Sequence, residues 1–136
     1  MVQKGKRNQG QFSVTTESAN LLSMTYAYCN NESVIPKRHR HGLGNQIISA
    51  AEKIHSSLIF ANNYRRDVPE ELEMRRKLQL EAKNYLSLLS SLLSIIFEKY
   101  HINENILKNW NSSVAKVDSL LESWRKSDEY YIKNNK

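Results

Sequence analysis

Lys37, Arg38, His39, Arg40 and His41 follow one another directly, three permanent cations interleaved with two histidines. Pro36 precedes them and Gly42-Leu43-Gly44 follows, so the run occupies the first turn of a helix. Cations there oppose the helix macrodipole, and the free N–H groups of that turn also favour anions. A phosphate or a carboxylate would relieve both; a solvated basic turn is the plainer alternative. Two further clusters, Arg65-Arg66 and Arg75-Arg76-Lys77, extend the list of candidate polyanion or partner contacts. Successive helical residues differ by about 100°, so the second of these runs spreads around its helix. The start of helix two and the turn after it lie at opposite ends of a helical hairpin, so these clusters need not form one patch.

Catalytic patterns are thin by comparison. His39 and His41 form an H-x-H pair with no Asp, Glu or Cys at helical ligand spacing. No G-x-S-x-G elbow marks a nucleophile, and Gly42-Leu43-Gly44 lacks the rest of a phosphate-cradling loop. Glu70-Glu71 opens a helix, where the dipole accounts for acidic residues. Trp110 and Trp124 sit at heptad spacing, as core or interface anchors do. The lone Cys29 excludes an intrachain disulfide and reads as a small apolar side chain in a reducing, cytoplasmic setting. A small helical enzyme would need a metal or a buried charged cluster, and the expected apolar seams contain neither. We therefore expect no catalytic residue, no metal and no cofactor.

The elements that hold these residues are helices. The chain has four glycines and two prolines in 136 residues, too few for the turns of an all-β fold. A first helix is predicted from about Thr16 to Asn30, with Thr15 or Thr16 as N-cap and Leu21, Met24 and Tyr28 on one stripe. The second runs from about Arg38 to Asn63 through Leu43, Ile47, Ala50, Ile54, Leu58 and Ala61. Gly42 and Gly44 near its start suggest close backbone contact. Asp67 and Glu70 around Pro69 look like a capping box for a third helix, with a seam of Leu78, Ala82, Tyr85, Leu89, Leu92 and Ile96. Asn103 caps a fourth, whose seam is Leu107, Trp110, Val114, Val117, Leu121 and Trp124.

These spacings predict an all-α fold, an antiparallel up-down-up-down four-helix bundle over residues 16–127. A basic flexible tail, residues 1–15, precedes it, and a polar tail, 128–136, follows. Leu86, Leu88, Leu93 and Ile95, with Ile48 and Ile59, make a second apolar stripe, read as a self-association face or, alternatively, as simply a wide core stripe. The most apolar window, Tyr85–Phe97, is interrupted by four serines and is too short to cross a bilayer, so no membrane partner is expected. A net charge of +6 and a pI near 9.5 favour a polyanionic partner.

The string from Ile35 to Ile47 resembles the P-K-x-x-R-x-x-L-G-x-x-I opening of helix two in the Avd-like family. These are the accessory variability determinants of diversity-generating retroelements, related to four-helix proteins of ribosomal-RNA intervening sequences. Leu58-Ile59-Phe60-Ala61-Asn62, the Leu-rich third helix, and Ser123-Trp124-Arg125-Lys126-Ser127 near the end are similar too. The resemblance spans roughly Leu21 to Ser127. It implies a non-catalytic subunit, a homopentamer in the family, that binds a reverse transcriptase and its template RNA during mutagenic reverse transcription. On this analogy Lys37, Arg38 and Arg40 are the first candidates for contact, then Arg65 and Arg66. Gln46, Ser49, Glu52 and Lys53 depart from the basic face expected on helix two. The alternative is an intervening-sequence-like scaffold that binds only protein partners.

Overall fold

The computed structural model describes the backbone of residues 2–135 and the side chains of residues 13–135. Four long helices account for most of it: α1 (Val2–Cys29), α2 (Asn45–Asn62), α3 (Pro69–Tyr100) and α4 (Glu104–Asn134). A 3-10 turn at Lys37–His39 and a π-helical turn at Arg40–Gly44 lead into α2. The described residues contain no strand. α1 packs on α2 and α4, and α3 packs on the same two helices. The core lies between them.

α1 begins well before the expected Thr16, so Thr15 and Thr16 lie inside a helix and cap nothing. Extending a helix already nucleated by packing costs far less than starting one. The packing line is Val14, Ser18, Leu21, Thr25 and Cys29, all buried. Lys4, Lys6 and Arg7, which the sequence places in a basic tail, have side chains outside the described residues. The other expected tail is also helical: α4 continues to Asn134, and Asp128 is buried within it.

Between α1 and α2 the Asn31 side chain accepts a hydrogen bond from the Ser33 amide (2.9 Å), closing a tight turn. Val34 and Ile35 then fold under the core. The expected continuous helix from Arg38 is instead a 3-10 turn, a π turn and only then α2. The glycines of that turn do not serve close packing. A Cβ at Gly42 would meet nothing within 4 Å, and one at Gly44 would make ordinary contact with the His39 carbonyl at 3.5 Å.

α3 also starts differently from expectation. Its N-cap is Val68, with no side-chain cap bond, because the Asp67 carboxylate is held by Arg65 at 2.9 and 2.6 Å. Pro69 at the first position and Glu70 and Glu71 in the first turn favour the helix start instead. Asn103 does cap α4, accepting from the amides of Asn105 (2.8 Å) and Ile106 (3.3 Å).

The inner line of α3 is Arg75, Gln79, Ala82, Leu86, Leu89, Leu93 and Ile96, in alternating steps of four and three. The expected seam shares Ala82, Leu89 and Ile96 with it, and Leu92 is buried beside it. Leu78 and Tyr85 are half-buried at its edge. The facing line on α4 is Trp110, Val114, Val117, Leu121, Trp124 and Asp128. The second stripe divides: Leu86 and Leu93 belong to the core, while Leu88, Ile95 and Ile59 are exposed. Polar bonds fix how the helices meet. Trp110 Nε1 donates to Thr25 Oγ1 (3.1 Å) inside the core, and Tyr26 donates to Glu52 (2.7 Å) at the surface.

Candidate functional site

The basic turn before α2 is folded over the ends of two other helices. Arg40 Nη2 donates to the Asn30 carbonyl (2.9 Å), just past the C-terminus of α1. The ring of His39 stacks on Tyr100, the last residue of α3, with centroids 4.4 Å apart. Tyr100 Oη lies 3.2 Å from His39 Nδ1, and Arg38 Nε donates to His39 Nε2 (3.0 Å). A guanidinium only donates, so Nε2 accepts and Nδ1 is left to donate to the tyrosine.

This geometry alters the electrostatics read from the sequence. The cations oppose the dipole of α2 but lie beside the C-terminal ends of α1 and α3, which favour positive charge. Arg40 thus does structural work as a cap for α1, although its Nε is buried without a hydrogen-bond partner. Lys37, Arg38 and His41 are exposed. Among the described residues no carboxylate lies within ion-pair distance of Lys37, Arg38 or Arg40. The turn therefore presents positive charge that the fold leaves unneutralised.

The other predicted basic residues lie near the opposite end of α3, and one of them, Arg75, is buried. Arg65 is exposed and paired with Asp67 at 2.6 Å. That hydrogen bond holds the Asp67 carboxyl below the ordinary carboxylate range and raises Arg65. Arg66 lies over the Tyr131 ring, 4.3 Å from its centroid, and 3.8 Å from Asp128. Arg76 and Lys77 are exposed on α3.

Arg75 is withdrawn from any binding surface: it is 3% exposed. Its Nε and Nη2 donate to the two oxygens of Asp128 (2.7 and 2.9 Å), and Nη1 donates to the Tyr64 carbonyl (3.0 Å). Its guanidinium carbon lies 4.8 Å from the ring centroid of Trp124. Gln79 Nε2 completes the set on Asp128 (3.0 Å). The interior thus holds a buried charged cluster where the sequence reading expected none.

The cluster tethers the α2–α3 turn and α4 to α3. Asp128 accepts three hydrogen bonds at 2% exposure, so its oxygens are engaged rather than open to a reactant. The signal was present but polar: Asp128 is four residues beyond Trp124 on the same line of α4. Arg75 and Gln79 extend the line of Ala82 backwards by the same rhythm.

A serine–histidine pair that no sequence pattern marks joins α1 and α2, Ser18 Oγ and His55 Nδ1 at 2.8 Å. It is poorly built for nucleophilic catalysis. Ser18 is 1% exposed, and its one hydroxyl proton goes to the Thr15 carbonyl (2.9 Å), so Ser18 accepts from the imidazole. Burial lowers the pKa of His55. Burial likewise pushes the Cys29 thiol up to about 12, far from thiolate reactivity at neutral pH. Among the described residues no group of three or more His, Cys, Asp or Glu could hold a metal ion. No helix among them is long and apolar enough to cross a membrane. Compared with family models, curated proteins and solved structures, the chain gives no match in any of the three.

Proposed function

We propose that this chain is a non-catalytic, nucleic-acid-binding accessory subunit, an antiparallel up-down-up-down four-helix bundle that works in a ring-shaped homo-oligomer. The observation that carries the reading is the exposed charge of Lys37 and Arg38 beside Arg40, with no carboxylate of the described residues to neutralise it. Phosphates of an RNA strand satisfy such a cluster without base-specific contacts. The resemblance of residues 35–47 to the Avd-like opening motif supplies the finer assignment: binding of a retroelement reverse transcriptase and its template RNA in the cytoplasm, with a pentamer as the family's assembly.

Self-association has its own support. From Asn84 to Phe97 the chain carries no charged residue, yet Leu88 is 46% and Ile95 39% exposed on that stretch. A helix uncharged over four turns is one covered on most sides. Beside it, a groove of about 470 Å³ between α3 and α4 is lined by Ser87, Ser90, Asn111 and Ala115, small enough for a neighbouring helix to approach. A scaffold that binds only protein partners is the competing reading, and salt dependence separates the two. RNA affinity should fall steeply between 50 and 200 mM salt. Replacing Lys37 and Arg38 by Ala should reduce the slope of log K against log salt by about 1.4–1.8. Absence of RNA binding at low salt would leave the protein scaffold as the function.

A further inference from the structure

A second surface lies at the other end of α3. Pro69, Leu72, Arg76, Lys77 and Leu80, with Arg125 of α4, line a groove of about 460 Å³. Its apolar positions recur at helical spacing, and Leu80 is 48% exposed. Among the lining side chains Arg76, Lys77 and Arg125 stand against one acid, Glu73. Arg125 is shared with Glu122 (3.0 Å), but among the described residues no ion pair engages Arg76 or Lys77.

We infer that this groove docks an acidic amphipathic helix of a partner protein. Pro69 to Leu80 rises about 16 Å, the length of three helical turns. Such a helix would lay residues i, i+4 and i+7 on Leu72 and Leu80, and bring flanking carboxylates to Arg76 and Lys77. The chemistry disfavours the other occupants. Small-molecule sites enclose most of their ligand, whereas this trough runs open along a helix. Single-stranded nucleic acid uses aromatic platforms, and the floor here is leucine and proline. The inference does not depend on the nucleic-acid reading, which concerns the turn beside Tyr100 at the opposite end of α3.

The test uses the full chain, isotope-labelled, and a panel of labelled three-turn peptides. Each carries leucines at i, i+4 and i+7 with glutamates on both flanks, and the panel steps through the heptad registers. At least one peptide should shift the amide resonances of Leu72, Arg76, Leu80 and Arg125. Leu80→Asp, and separately Arg76→Glu with Lys77→Glu, should each weaken that peptide about tenfold or more. Helical circular dichroism should stay unchanged, since all three positions are exposed. A lysine-for-glutamate version should not bind. The inference is overturned if no peptide shifts those resonances at millimolar concentration. It is equally overturned if a scrambled acidic peptide or an oligonucleotide shifts them as strongly, because the groove would then read charge alone.

Discussion

Replacing Asp128 by Ala tests the claim that the interior of this bundle is held at one end by charge. The substitution removes the acceptor of three hydrogen bonds, from Arg75 Nε, Arg75 Nη2 and Gln79 Nε2. It leaves a guanidinium that is 3% exposed without its bidentate acceptor, beside the Tyr64 carbonyl and the face of Trp124. Removing one partner of a buried pair costs about 3–5 kcal/mol. That is about a fifth or more of the stability of a typical domain, roughly 5–15 kcal/mol.

In urea, with a slope of about 2 kcal/mol per molar, the midpoint should fall by about 2 M. Asp128→Asn should give little relief, because its amide group turns a donor toward side chains that themselves only donate here. Exchanging the set for apolar residues (Arg75→Met, Gln79→Leu and Asp128→Leu together) should recover most of the loss, since no charge is then left buried. A cost below about 1 kcal/mol for Asp128→Ala would refute the reasoning, as would a triple variant no more stable than the single one.

Two further outcomes follow from the same packing. His55 resists protonation in the fold, so the unfolded chain takes up the proton first as pH falls below the ordinary histidine value of about 6.5. Its contribution is fully present above that value and is lost as pH drops through the lowered folded pKa. Chemical denaturation at several pH values should show His55→Gln with a flatter profile in this window, and equal slopes would remove the assignment. Leu89→Ala, at a fully buried position, should cost about 2–5 kcal/mol, whereas Leu88→Ala should cost under about 0.5 kcal/mol in a monomer and lower the mass seen by light scattering. Equal costs for the two would mean that the inner line of α3 is misplaced.

Leucine spacing made the helices legible but left the rotation of α3 ambiguous. Leu86, Leu88, Leu89, Leu92 and Leu93 satisfy two overlapping stripes, and residue type alone cannot choose between them. The inner line of the fold also takes in Arg75 and Gln79, bonded to Asp128, which a hydrophobic pattern counts as surface because their burial depends on a partner distant in sequence. The caps show the same divide. Asn103 works locally and was readable, whereas Asp67 has a competitor, Arg65, two residues away. The basic turn was visible as a cluster, but its seat on the ends of α1 and α3 depends on which helices are neighbours, and no local pattern encodes that. The apolar trough beside Arg76 was hidden for a similar reason, since its far wall, Arg125, comes from another helix.

The Arg75–Asp128 bond joins positions 53 apart in the chain, and this constrains how the gene can drift. Either residue changed alone takes the bidentate partner from its counterpart, so a lineage must pass through a less stable intermediate or alter both sites within a short interval. The two codons are therefore expected to vary as a couple, and the half-changed combinations to be rare wherever this protein is inherited.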